Sequence, residues 1–220
     1  MELILVKIYM VNVKDIKKNY TIQELSGNIS SPLKKYIKKC VIEDEHYNNL
    51  IGLLLIQYML WDFLGENAKI EILKNSHGKL TLKNRKIDFN ISHSNEWVVG
   101  TIAEFRVGID IEDIKNIRNN SILRFFSVDE TEYCKDAKDI CKIWTLKESY
   151  LKCIGIGISI PLNSFSVIIN DEVHLSIGGE RNYSYSFNSR RFEHYYISIC
   201  TNVSCNSSIQ WIEKTIQELI

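Results

Sequence analysis

Two carboxylates stand two residues apart in the run Val107-Gly108-Ile109-Asp110-Ile111-Glu112. In an extended chain alternate side chains share a face, so Asp110 and Glu112 point one way while Ile109 and Ile111 point toward a core. Adjacent acids repel, and a hard divalent cation with oxygen ligands relieves that repulsion well. A solvated sheet face carrying two acids is the plainer reading of the same spacing. A third acid follows in Trp144-Thr145-Leu146-Lys147-Glu148-Ser149-Tyr150-Leu151-Lys152. On a helix Trp144, Glu148, Leu151 and Lys152 fall on one broad stripe, and a routine Glu-before-Lys pair one turn apart is the alternative to chemistry. In Phe89-Asn90-Ile91-Ser92-His93-Ser94 an imidazole sits between two hydroxyls, groups able to hydrogen-bond a phosphate. A turn built by Asn and Ser side chains is the competing account, with the run placed in a loop just before a strand.

These residues need elements to hold them. Residues 3–13 read as a strand, and residues 14–31 as polar and turn-rich. Ser31-Pro32 resembles a helix entry, followed by a basic stretch with Lys34, Lys35, Lys38 and Lys39. A long apolar helix is expected from Asp44 to Leu64, stopped by Gly65. Short extended pieces follow at 69–73 and 78–82, then two linked strands at 97–104 and 107–112. Helical patterns cover 121–126, 129–134 and 139–154. Strand-like runs at 165–169, 173–177, 183–187 and 194–200 are joined by Asn, Asp and Gly turns, and residues 207–220 suggest a closing helix. Strands and helices mix, so the class is α/β or α+β. No internal sequence repeat is visible.

Composition removes several function classes. The 220 residues carry 27 Lys+Arg against 27 Asp+Glu, and zero net charge argues against a general nucleic-acid binder. The beginning, MELILVKIYM, has an acid at its second position and no extended apolar region, unlike a secretory signal peptide. The most apolar stretch, 50–64, holds Gln57 and Asp62 and is too short to span a membrane. Six cysteines show neither a CxxC pair nor zinc-finger spacing, which fits reduced thiols in the cytoplasm.

Taken together and in this order, FNISHS, GIDIE and WTLKESYLK with its trailing Gly155-Ile156-Gly157 resemble the 4′-phosphopantetheinyl transferases of the Sfp type. The resemblance covers most of the chain. It extends to the opening KIYMV, to Phe125-Phe126-Ser127 with Glu130, and to Pro161-Leu162 with Phe165. It implies an enzyme that moves the phosphopantetheine arm of coenzyme A onto a serine of an acyl or peptidyl carrier protein, releasing adenosine 3′,5′-bisphosphate. The implied fold is two similar α/β lobes related by a pseudo-two-fold axis, 1–105 and 106–220, with the boundary near Phe105 and Arg106.

By the same resemblance Asp110, Glu112 and Glu148 hold Mg²⁺, with Mn²⁺ as a substitute, and Glu112 acts directly or through water. Glu148 is also the candidate base for the carrier serine, a role that competes with ligation because a metal-bound carboxylate is a poor base. Lys152 neutralises phosphate charge and protonates the leaving group, and Lys147 contributes to the same phosphates. Ser92 and His93 match a coenzyme A-binding pair, His93 meeting the 3′-phosphate. Gly78-Lys79 matches a nucleotide turn, and Lys34 and Lys38 match a lysine-bearing segment that meets the 3′-phosphate; a solvated basic face is the alternative. Glu130 aligns with a family acid and is otherwise an exposed helix-start residue. Two positions depart from the pattern. Asn48 stands where the family often has Arg, leaving His46 or Lys39 to substitute, and Leu80 stands where Pro is usual. Further expectations are a monomer, a local basic patch for an acidic carrier, and no nucleic-acid or membrane partner. An inactive relative that only docks carriers is the rival reading; the presence of all three acids and both lysines argues against it. No Walker-type loop supports a different nucleotide enzyme.

Overall fold

The computed structural model describes residues 5–38, 40–83, 86–117, 120–157, 159–203 and 208–220. In chain order the elements are β1 (Leu5–Asn12), α1 (Ile16–Asn19), α2 (Ile22–Gly27), α3 (Ser31–Lys34), α4 (Glu43–Leu64), β2 (Ile72–Lys74), β3 (Leu80–Leu82), β4 (Asp88–Ser94), β5 (Trp97–Ala103) and β6 (Val107–Asp113). They continue with α5 (Val128–Tyr133), α6 (Ala137–Ile154), β7 (Phe165–Ile169), β8 (Val173–Ile177), β9 (Glu180–Asn182), β10 (Ser186–Phe192), β11 (Tyr195–Thr201) and β12 (Ser208–Lys214).

β1 is apolar on both faces because both are covered. Tyr9 and Val11 pack toward α4, while Val6, Ile8 and Met10 join Trp97, Val99 and residues of the second sheet. Ile109, Ile111, Ile197 and Ile199 supply that opposing surface. The two sheets, ordered β12-β1-β5-β4 and β10-β11-β6, therefore stack face to face, with α4 outside one and α6 outside the other. The apolar stretch of α4 is buried all round, as such a helix must be: sheet residues cover one side, and Ile16, Leu25, Ile29 and Leu33 from α1 to α3 cover another. Ile72 and Leu82 from the β2–β3 hairpin complete the cover.

The same strand–helix–hairpin order occurs twice. β1, α4 and the β4–β5 hairpin give the sheet order β1-β5-β4, and β6, α6 and the β10–β11 hairpin give β6-β11-β10. The two units share a topology without a visible sequence repeat. They differ at one edge. The outer edge of β1 pairs in parallel with β12, whereas the corresponding edge of β6 faces the side chains of β4. Asp88 Oδ2 accepts from the Val107 backbone N–H (2.9 Å), Asn90 Oδ1 from Ile109 (2.9 Å), and Ser94 Oγ from Asp113 (3.2 Å). Asp88, Asn90 and Ser94 thus serve the β6 edge, which would otherwise hold buried unpaired donors, while Ser92 between them donates to the Asp110 side chain.

Several expectations change. Residues 89–94 are strand, not loop, since their polar side chains alternate toward β6. Residues 208–214 form β12 rather than a helix, because the chain crosses back and its apolar residues are needed beside β1. Residues 208–220 therefore pack with the first half's sheet. The segment 14–31 contains two short helices, the second closed by a Thr21–Glu24 capping box. α3 is a single turn that begins one residue earlier than expected, with Ser30 in the cap position, so Lys38 lies beyond it. The strand expected at 183–187 begins only at Ser186, with the first residues of β10, because residues 183–185 form the turn after β9.

Candidate active site

A cavity of about 750 Å³ opens where the β4 and β6 edges meet, walled by α4, the β2–β3 hairpin and α6. Strand alternation puts Asp110 and Glu112 on the face of β6 toward α6, and helical spacing brings Trp144, Glu148 and Lys152 to the same wall. Leu151, on the expected stripe, turns into the core instead. α6 can approach β6 this closely because residue 108 is glycine: a Cβ there would lie 2.1 Å from the Ser149 carbonyl oxygen and 2.3 Å from the Cys153 nitrogen.

Asp110 is the centre of the polar contacts. Its Oδ1 accepts from Lys152 Nζ (2.6 Å) and from Ser92 Oγ (2.8 Å), and Lys152 also donates to Ser92 Oγ (2.8 Å). Its Oδ2 is buried and has no hydrogen-bond partner among the described residues. A buried carboxylate oxygen without a donor is costly unless something positive completes it. Glu112 accepts from Ser94 Oγ (3.3 Å). Burial first and then the charge of Asp110 raise its pKa to about 7. Glu148 is raised by the same two causes, with Lys152 opposing. Three acids share one lysine, an all-oxygen set suited in type and charge to a hard cation. Among the described residues no three such side chains are already gathered closely enough to hold an ion; in this arrangement Lys152 supplies the positive charge at Asp110.

Ser92 and His93, adjacent in a strand, face opposite ways. Ser92 turns to Asp110, while His93 stands exposed on the cavity wall beneath the start of α4. Desolvation by that wall, then the charges of Lys152 and Lys38, lower the His93 pKa, which leaves its ring neutral at pH 7. Lys38 lines the same cavity, as do Asn48, Asn49 and Leu80. Lys34 does not: it lies exposed on α3, outside the cavity. Lys39 lies outside the described residues.

Two lysines expected to bind coenzyme A, Lys147 at its phosphates and Lys79 in the nucleotide turn, have other partners. Lys147 is fully buried and donates to Glu130 Oε1 (2.6 Å), Glu130 Oε2 (2.8 Å) and the Phe165 carbonyl (2.8 Å). It is neighbour to Glu148 in sequence but points to the far side of α6, so it does not reach the cavity. Burial lowers its pKa, with Glu130 opposing. Glu130 is correspondingly buried, not an exposed helix acid, and also takes N–H groups from Ser127 and Val167. Lys79 lines the cavity, but its ammonium donates to Asp88 Oδ2 (2.5 Å) and the Val107 carbonyl (3.0 Å). Asp88 was missed by the sequence reading, although its place in the alternation Asp88-Asn90-Ser92-Ser94 was a usable signal.

Three acids, one lysine and a histidine thus line a single cavity. Comparison with known proteins names the family. The 4′-phosphopantetheinyl transferase superfamily matches residues 106–200. The chain is similar to the 4′-phosphopantetheinyl transferase gsp of Aneurinibacillus migulanus, 32% identical over 98% of this chain and 94% of that one. It is also similar to the 4′-phosphopantetheinyl transferase Sfp of Bacillus subtilis (strain 168), 30% identical over 68% of this chain and 70% of that one. Among solved structures, the holo-[acyl-carrier-protein] synthase of Helicobacter pylori in complex with coenzyme A aligns with 43% of this chain and 96% of that chain, at 19% identity and a TM-score of 0.38. The chain belongs to the 4′-phosphopantetheinyl transferase family, the class of transferases that the sequence motifs implied.

Proposed function

We propose that this chain takes the 4′-phosphopantetheine arm from coenzyme A, attaches it to a serine of an acyl or peptidyl carrier protein, and uses Mg²⁺ to do so. The observation that carries the reading is the bare, buried Oδ2 of Asp110 beside two acids whose pKa values are pushed up. Asp110 and Glu112, with Glu148 on the same wall, would hold the cation; Mn²⁺ offers the same oxygen preference. When bound, the cation supplies charge neutralisation at the pyrophosphate, where positioning and electrostatics do most of the work. His93 and Lys38 offer a neutral donor and a cation to a terminal phosphate at the α4 end. Where Glu148 is not itself bound to the cation, its basicity, raised by burial, lets it accept the serine Oγ proton, directly or through a water. The serine oxygen bonds to the phosphorus that carries the pantetheine arm. The bond from that phosphorus to the bridging oxygen breaks, and adenosine 3′,5′-bisphosphate leaves with the electron pair. Lys152 Nζ neutralises the leaving oxygen or protonates it. Lys34, Lys79 and Lys147 take no part in this scheme as ligands.

A site built from one chain supports action as a monomer. A first lobe before Phe105 and a second after Arg106, with residues 208–220 returned to the first, describes the cleft best. Among the described residues no helix is long and apolar enough to cross a membrane, and five cysteines are free, which supports a place in the reducing cytoplasm. The test is intact-mass spectrometry of an apo carrier protein incubated with this chain, coenzyme A and Mg²⁺. A mass gain of one phosphopantetheine arm, abolished by EDTA and by Asp110→Ala, is the expected result. Binding of coenzyme A without a gain on any carrier class would return the chain to the docking-only reading.

A further inference from the structure

The ammonium of Lys79 sits among groups from three elements. Asp88 Oδ2 of β4 lies 2.5 Å away, the Val107 carbonyl at the start of β6 lies 3.0 Å away, and the Cys153 carbonyl of α6 lies 3.5 Å away. The pair is nearly enclosed, with 10% of the Lys79 side chain and 14% of the Asp88 side chain exposed. Cys153 is in the last turn of α6, where carbonyls have no intrahelical partner and where a cation is favoured by the helix dipole. The same hairpin turn supplies a second contact: Asn75 Nδ2 donates to the Gly155 carbonyl (2.7 Å). Asn75 Oδ1 in turn accepts from the His77 and Lys79 backbone N–H groups, fixing the turn that presents both side chains. Gly155 ends α6 in the left-handed region (φ 74°), and a Cβ there would stand 3.2 Å from Lys79 Cδ. The β2–β3 hairpin is thus seated on the carboxyl end of the helix that carries Glu148 and Lys152.

We propose that Lys79 and Asp88 form a positioning pair that caps the carboxyl end of α6 and locks it to the β4–β6 seam. The pair acts through Glu148 and Lys152 and does not bind coenzyme A; this rests on the role given to those two residues above. Lys152 precedes the capped carbonyl by one residue, so a shift of the last turn moves its ammonium away from Asp110 and Ser92. Asp88 also accepts from the Val107 N–H, so the same carboxylate ties the helix cap to the strand bearing Asp110.

Lys79→Met and Asp88→Asn, singly and together in the full chain, test the pair; asparagine keeps an oxygen for the Val107 N–H. Misplacing a catalytic group by about an ångström costs up to about a hundredfold, so each single variant should lower kcat about tenfold or more. KM for coenzyme A should stay within about twofold, because no substrate contact is lost. The double variant should be no slower than the worse single one, the mark of groups acting as a unit. Hydrogen exchange of the last turn of α6 should quicken in all three, while α4 stays protected. Tenfold weaker coenzyme A binding in Lys79→Met alone, with Asp88→Asn unaffected, would make Lys79 a ligand and overturn the proposal. Unchanged kcat and unchanged exchange would overturn it as well. If the wild-type chain loads no carrier, the functional reading fails, and the exchange measurement still decides the cap.

Discussion

Replacing Lys147 by methionine removes an ammonium and little else, since the two side chains are close in length and volume. The site it leaves is severe. Lys147 and Glu130 are both at 0% side-chain exposure, and the ammonium is bonded to both carboxylate oxygens and to the Phe165 carbonyl. It also lies 4.2 Å from the centre of the Phe165 ring. Without it, Glu130 keeps, among the described residues, the N–H groups of Ser127 and Val167, and its charge is buried unpaired. Breaking a buried pair from one side costs about 3–5 kcal/mol. For a chain of this size that corresponds to a fall in Tm of roughly 6–20 °C. Urea unfolding at pH 7 measures the first quantity, and calorimetry with coenzyme A gives the contrast. Stability should fall by that amount while coenzyme A affinity stays within about twofold, as expected when no substrate contact is removed. Adding Glu130→Gln should recover part of the loss, because the unpaired charge goes while an oxygen remains for a backbone N–H. A cost under about 1 kcal/mol, the range of exposed pairs, together with weaker coenzyme A binding, would refute the assignment and return Lys147 to the phosphates.

Gly108→Ala should destabilise by about 3 kcal/mol or more, since the new methyl would meet helix backbone that cannot rotate aside; denaturant unfolding within about 1 kcal/mol of wild type would show that α6 can retreat. Mg²⁺ should raise Tm more at pH 8 than at pH 5.5. Folding raises the pKa of Glu112 to about 7, so without metal the folded state holds more protons than the unfolded one and loses stability as pH rises toward that value; the cation offsets that loss. Equal Tm shifts at both pH values would separate Glu112 from the cation. Coenzyme A binding near pH 7 should take up a proton, because a 3′-phosphate reverses the lowered pKa of His93; calorimetry in buffers of different ionisation enthalpy detects it. His93→Ala should abolish that uptake and weaken coenzyme A more than 3′-dephospho-coenzyme A, whereas equal weakening of both would place the phosphate elsewhere.

Local regularities were legible in the sequence. The two-residue repeat of a strand is a property of the backbone, so Asp110 and Glu112 had to share a face once residues 107–112 were extended. Helical spacing likewise placed Glu148 and Lys152 together, and Gly65 marked a helix end that the structure retains. The order of the three motifs was enough to indicate the family. The partners of the lysines were decided only by the tertiary structure. Lys147 and Glu130 are 17 residues apart, Lys79 and Cys153 are 74 apart, and no local rule pairs them. A lysine's sequence neighbours do not reveal whether its ammonium ends in a cavity, beneath a helix or on a hairpin seat, because that depends on which buried carboxylate or carbonyl lacks a donor. The fate of residues 208–214 was settled in the same way. Their apolar pattern is short enough for helix or strand, and the unpaired edge of β1 made them a strand.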